Sequence, residues 1–201
     1  MSELERWETR FHAPGYAFGK APNAFLQSQV GRLPAGGKAL SVADGEGRNG
    51  VWLAEQGLDV LAIDFSPTAI EKARALAAER GVMMRSELAD VASWHWPANS
   101  FDVVVAIFTQ FVAPAERDEF FKNLKRTLKP GGLLLIEAYR PEQLNYKTGG
   151  PADVERLYTR AMLENAFGDM AQIEIREHDS AISEGTSHVG MSALIDLVAT
   201  K

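Results

Sequence analysis

The chain of 201 residues contains no cysteine. Disulfides, thiolate metal sites and thiol catalysis are therefore excluded. It also lacks an apolar run of the ~18 residues that a membrane span requires. The four histidines, His12, His95, His178 and His188, have no metal-ligand spacing, so no metal is expected. Basic runs are missing too. With 21 Lys and Arg against 27 Asp and Glu, the net charge is −6, which argues against nucleic acid and anionic membranes as partners. There are no repeats or low-complexity segments. The opening stretch, residues 1–7, is polar and acidic, with no apolar signal segment. A cytoplasmic protein of one domain is expected, with an ordinary hydrophobic content of 46%.

Against these absences, one stretch is rich in information. Residues 38–43 read as a short buried strand that runs into Asp44-Gly45-Glu46-Gly47-Arg48-Asn49-Gly50, a Gly-rich turn opening a helix. A second strand over 59–64 ends in Asp64, nineteen residues beyond Gly45. This is the layout of a nucleotide-binding βαβ unit, in which glycines admit the ligand and the acid accepts bonds from ribose hydroxyls. The spacing Gly45-x-Gly47-x-x-Gly50 matches a dinucleotide fingerprint, but Asp44 and Glu46 flank Gly45. A pyrophosphate there meets two carboxylates, and like charges a few ångströms apart repel even in a fairly high dielectric. A phosphate-free cationic adenosine derivative escapes that repulsion. S-adenosylmethionine (SAM) is such a ligand. The alternatives are NAD and a plain structural turn.

Strand and helix patterns alternate from 38 to about 139, which predicts a parallel sheet with crossover helices. Helices are expected at 48–56, 67–80 and 115–129. Ser66-Pro67 caps the second and Gly81 ends it. Strands are expected at 83–87, 101–108 and 133–139, the middle one near-continuously apolar apart from Asp102, as for a strand buried on both faces. Residues 152–167 read as one helix, and 172–177 with 191–198 as an antiparallel edge pair. The division is a lid and helix over 1–37, a ligand-binding core over 38–139, and a substrate-side helix with a terminal hairpin over 140–201.

Gly45-Glu-Gly47-Arg48-Asn49, Asp64-Phe65-Ser66, Asp90-Val91, the strand at Phe101-Asp102, Leu128-Lys-Pro-Gly-Gly132 and the terminal hairpin resemble class I SAM-dependent methyltransferases. The first of these, with Gly19-Lys-Ala-Pro22-Asn23-Ala-Phe25-Leu26, is similar to the tellurite-resistance and thiopurine methyltransferase branch. The resemblance covers about positions 20 to 200 and implies an α/β, Rossmann-like sheet of seven strands in the order 3-2-1-4-5-7-6, with strand 7 antiparallel. It implies that Asp44, Gly45 and Gly47 line the methionine end of SAM and that Asp64 binds the ribose. Phe65 would stack near the adenine, Asp90 and the Val91 backbone would bond its edge, and Ile107 would pack beneath the ligand. Ser41 and Ala43 depart from the family, which usually has an acid and a glycine there.

The expected function is methyl transfer to a small-molecule acceptor, by a monomer or homodimer. His12 in the lid, Tyr16, Phe18, Phe111, Tyr139 and Tyr146 are candidate pocket walls, because aromatic faces attract a sulfonium. Arg140 either holds an anionic substrate or makes an outward salt bridge. Only His12 and Glu137 offer themselves as bases. That scarcity favours a soft sulfur, selenium or tellurium nucleophile that needs little help. The other readings are a catalytically silent SAM-binding domain, motivated by Ser41 and Ala43, and an NAD-dependent oxidoreductase.

Overall fold

The computed structural model describes residues 2–186 and 188–201. The elements run α1 (Glu3–Phe11), α2 (Ala24–Ser28), β1 (Lys38–Val42), α3 (Arg48–Glu55), β2 (Asp59–Asp64), α4 (Pro67–Arg80), β3 (Arg85–Leu88) and β4 (Phe101–Ile107). They continue with α5 (Pro114–Thr127), β5 (Leu128–Tyr139), α6 (Gln143–Tyr146), α7 (Arg160–Phe167), β6 (Gln172–Glu184) and β7 (His188–Thr200). The seven strands form one sheet in the order β3-β2-β1-β4-β5-β7-β6, as expected. β7 runs antiparallel to both of its neighbours, and the other pairings are parallel. Among the described residues, no helix is long and apolar enough to cross a membrane.

Local chemistry explains the main crossover. Ser66 caps α4 by accepting from the Ala69 amide, Pro67 opens it, and Gly81 ends it with φ +68°. Its buried residues are Ala69, Ile70, Ala73, Leu76 and Ala77, and the small Ala73 lets Gly47 of the Gly-rich turn approach. β4 sits centrally, with Val103, Val104, Val105 and Ala106 at 0–1% exposure. Helix α5 packs Phe120, Phe121 and Leu124 onto the sheet. Each such side chain contributes about 1.5–3 kcal/mol when fully buried.

Two expectations need correction. Residues 152–167 are not one helix: a 3-10 turn at Val154–Arg156 gives way to an extended Leu157 and Thr159 before α7 begins. Thr159 then caps α7 by accepting from the Met162 amide. The terminal hairpin is far longer than 172–177 paired with 191–198, because β6 and β7 stay in register from Gln172↔Thr200 to Glu184↔His188. The lid also contains a regular helix, α1, with a capping box in which Ser2 and Glu5 satisfy each other's backbone amides.

Candidate active site

Beyond β1 the chain turns through Ala43 (φ +50°), Gly45 (φ +60°) and Gly47 (φ +94°) into α3. Asp44 Oδ1 accepts from the Ser41 hydroxyl at 2.5 Å and from the Gly50 amide at 3.0 Å. A Cβ at Gly50 would sit 2.5 Å from Asp44 Oδ2, so glycine there admits the carboxylate. Asp64, at the end of β2, accepts from the Gly45 and Ser66 amides at 2.9 Å each. Burial pushes Asp44 up to about 7 against the bonds from Ser41 and Gly50, and the charge of Asp64 adds to the rise. Burial likewise pushes Asp64 up to about 6 against the Ser66 and Gly45 amides. Two buried acids held this way favour a cation beside them and repel an anion. Glu46 plays no part in that repulsion. It turns toward the lid, taking the Ala17 amide at 2.6 Å and Lys72 Nζ at 2.8 Å.

The turn opens into a cavity of about 80 Å³ lined by Ala43, Asp44, Gly45, Asp64, Phe65 and Ile107, among others. The lid supplies Trp7, Phe11 and Phe18 to the same cavity. A Cβ built on Gly45 would touch the Phe11 ring at 3.5 Å. Phe111 lies 6.0 Å from Phe65 with the ring planes within 17° of parallel. Asp90 and Val91 line an adjoining groove of about 420 Å³ that shares Phe65 and Phe111 with the cavity. Gly47 lies outside the cavity lining. A Cβ there would meet Ala73 Cα at 2.7 Å, so this glycine serves the packing of α3 on α4.

The candidate acceptor residues divide. Phe18 and Phe111 line the cavity, and Tyr139 lines a chamber of about 390 Å³ beside it. The others lie elsewhere. His12 is on the outer face of the lid, its side chain 70% exposed, 3.5 Å from Glu8. Tyr16 packs on α4 and donates its hydroxyl to the Lys72 carbonyl. Arg140 is held by Glu142 and Asp179, the outward salt bridge, and Tyr146 donates to the same Asp179. Glu137 is buried away from the chamber, bonded to Asn23 Nδ2 at 2.5 Å. Burial and the neighbouring Asp196 push it up to about 8. The sheet brings ligand atoms of Glu137, His178 and Asp196 within 4.8 Å of one another, a juxtaposition set by strand pairing and absent from sequence spacing.

Sequence reasoning missed four residues. Arg48 is buried and pairs with Glu184 at 2.7 Å, while its Nη1 has no partner among the described residues. Phe108 follows β4 at φ +54°, a strained position for a bulky residue. His188 lies against Phe108 at 4.6 Å between ring centroids, and Glu184 lies 3.7 Å from its Nδ1. The signal for Arg48 was its place in the turn motif. Nothing local marks His188, Glu184 or Phe108.

Residues 39–132 match the family described as methyltransferase domain. The match runs from β1 into β5. The strand order is that of the class I methyltransferase fold. Phosphoethanolamine N-methyltransferase 1 of Arabidopsis thaliana is 33% identical over 108 residues, 53% of this chain and 22% of that protein. The chain thus spans about a fifth of that curated relative. A structure solved in a study of the conversion of a disulfide bond into a thioacetal group during echinomycin biosynthesis superposes with a TM-score of 0.76. The identity is 20%, over 98% of this chain and 89% of that one. TehB from Haemophilus influenzae gives 0.70 at 16% identity, over 89% of this chain and 62% of that one. The cofactor of this domain family is SAM, and the site fits its chemistry. The unpartnered Arg48 Nη1 suits a carboxylate, Asp44 an ammonium and Asp64 a ribose diol. The free volume is below the ~300 Å³ of a ligand pocket, and Trp7, Phe11 and Phe18 of the lid are among the residues that line it.

Proposed function

We propose that this protein is a SAM-dependent methyltransferase acting on a small-molecule acceptor with a soft or readily ionised nucleophile, such as a sulfur centre. The observation that supports it most is the pair Asp44 and Asp64, both buried, both bonded to the Gly-rich turn and both raised in pKa. An NAD-dependent enzyme would set a diphosphate against these acids. Ser41, where an acid is usual, is engaged in holding Asp44, so the departure from the family pattern supports the site.

In this reading Asp64 binds the ribose hydroxyls, Asp44 the amine, Arg48 the carboxylate, and Phe65 with Phe111 flanks the adenine. Asp90 and Val91 meet the adenine edge from the adjoining groove. Bound SAM supplies a methyl group on a sulfonium, which is already a good leaving group. The protein's task is alignment and exclusion of water, effects that can account for roughly 7–11 kcal/mol of a barrier. The aromatic lid of Trp7, Phe11 and Phe18 provides the exclusion.

Calorimetry tests this directly. SAM and S-adenosylhomocysteine (SAH) should bind saturably, and Asp64→Ala should weaken both by about tenfold or more, ~1.4 kcal/mol. Because the ligand-facing acids titrate at about 6 and about 7, SAM binding should strengthen from about pH 5.5 to pH 8, with release of protons. No saturation at millimolar SAM would overturn the reading.

A further inference from the structure

The chamber beside the donor cavity holds about 390 Å³ and shares Trp7, Phe108, Phe111 and His188 with it. These four residues form the boundary between donor and acceptor. The chamber's apolar wall is flat: Phe108 stacks on Tyr139 at 4.7 Å with 24° between planes. Three cations, Arg6, Arg10 and Arg156, line the rest, with Asp153 as the acid among the lining residues. Arg6 pairs with Glu3, and Arg156 lies 3.9 Å from Asp153. Arg10 lies over the rings of Trp7 and Phe18 at 4.9 and 5.9 Å. Burial and Arg6 both depress its pKa, and it makes no salt bridge among the described residues. A site with an uncompensated guanidinium over an aromatic floor recognises an anion with an apolar body.

His188 is the group with chemistry at this boundary. It is 8% exposed, wedged between Phe18 and Phe108, with ring centroids 4.6 Å away in each case, and edge-on to Tyr139 at 5.7 Å. Its Nδ1 faces Glu184 Oε2 at 3.7 Å, beyond hydrogen-bond reach as it stands. Glu184 is itself fixed by Arg48 at 2.7 Å and Asn23 Nδ2 at 3.0 Å. A carboxylate locked on one side of an imidazole leaves the opposite nitrogen, Nε2, for substrate, and steadies the imidazolium once it forms. Apo distances of this kind tighten when a substrate fills the site. Two buried polar atoms here, His188 Nδ1 and Tyr139 Oη, have no hydrogen-bond partner among the described residues. The left-handed backbone of Phe108 is strain of the type retained at working sites.

Resting on the methyltransferase reading, we propose that this chamber is the acceptor site and that His188 is its general base. The acceptor is a small organic anion carrying a weakly acidic hydroxyl or thiol. Arg10 holds the anionic group. The proton of the acceptor's O–H or S–H passes to His188 Nε2. The freed electron pair forms the new bond to the methyl carbon, and the pair of the breaking S–C bond returns to sulfur. The groups facing His188 set its protonation. Burial, Arg48 of α3 and Arg10 of α1 favour the neutral ring, whereas Glu184 of β6 favours the cation, and Tyr139 of β5 adds an uncharged hydroxyl.

The test uses SAH-saturated protein and two matched pairs, 4-hydroxybenzoate against phenol and 3-mercaptopropionate against ethanethiol. At least one anion should bind at least tenfold more tightly than its neutral partner, and Arg10→Ala should abolish the difference while SAH affinity holds. With SAM, His188→Gln should lower kcat by about 10²–10⁴ with little change in KM and remove the acid-side limb of the pH profile. In the wild-type protein, the His188 imidazole resonances should shift when the anion binds. That readout does not depend on any variant folding. If SAH binds but anions and neutral partners bind alike or not at all, or His188→Gln retains activity within threefold, this inference falls and the methyltransferase reading stands. If SAH itself does not bind, both fall.

Discussion

At the scale of single residues, the turn shows why a glycine motif is not one requirement but several. Gly45 and Gly47 both need positive φ, Gly50 makes room for Asp44, and Gly47 makes room for Ala73. Gly57 provides a control, with φ +86° and nothing within 4 Å of an added Cβ. Gly57→Ala should therefore carry only the backbone penalty of a left-handed residue, about 1–2 kcal/mol. Gly47→Ala adds a clash with the backbone of α4 and should lose at least about 3 kcal/mol. Urea midpoints for the two variants decide this; equal losses would refute the packing role of Gly47. What was legible at this scale was whatever a motif marks locally. Asp44, Gly45, Asp64, Phe65 and Ile107 line the cavity. Phe108 was hidden because its strain is a property of backbone geometry and leaves no compositional trace.

At the scale of elements, α1 is the part of the fold that separates the cavity from solvent. Its apolar side chains Trp7 and Phe11 stack at 5.5 Å over the turn. Its one polar anchor is Glu8, whose carboxylate takes the Ser66 hydroxyl and the Thr68 amide and hydroxyl at the start of α4. Burial opposes ionisation of Glu8, but these bonds outweigh it and hold its pKa down. Glu8→Ala should cost about 1–2 kcal/mol through the lost bonds and loosen α1. Trypsin should then cut at Arg6 and Arg10 several-fold faster, and saturating SAH should slow the cut in both proteins. Cleavage unchanged by the substitution would mean that α1 is not a separable lid. The core elements were legible because caps, periodicity and a buried strand signal agree with the tertiary structure. α1 was marked by its Ser2-x-x-Glu5 box, a signal overlooked among the lid aromatics. The hairpin's true length was not legible, since the alternating burial of β6 is set by its pairing with β7 across the whole edge.

At the scale of the whole molecule, buried charge is balanced across three strands and α3 by a few ionic contacts and one proton. Arg48 offsets Glu184, whose carboxyl is held down to about 2 against burial by His188 and Arg48. His178 lies 3.0 Å from Asp196. Glu137 is left opposite Asp196 in the β5–β7 register, without a salt bridge among the described residues. Burial first, then the charge of Asp196, raises it from 4.5 to about 8, so at neutral pH the fold keeps it protonated while the unfolded chain does not. A raised carboxyl pKa fixes the sign of the linkage. Below pH 4.5 both states hold the proton and the stability is intact; it is then lost progressively as pH climbs through 8. Asp44 and Asp64 add slope of the same sign, ending nearer neutrality. Glu137→Gln separates the contributions, because a glutamine imitates the protonated acid: its oxygen can accept from Asn23 and its amide can donate to Asp196. At pH 4 the variant should match the wild type within about 0.5 kcal/mol. At pH 8 it should be more stable by up to about 4 kcal/mol, a rise in Tm of several degrees or more for a chain of this size. Thermal unfolding across that range gives the answer. A variant that is less stable at pH 8 would mean that Glu137 is ionised in the folded protein and that Arg48 serves it as well as Glu184.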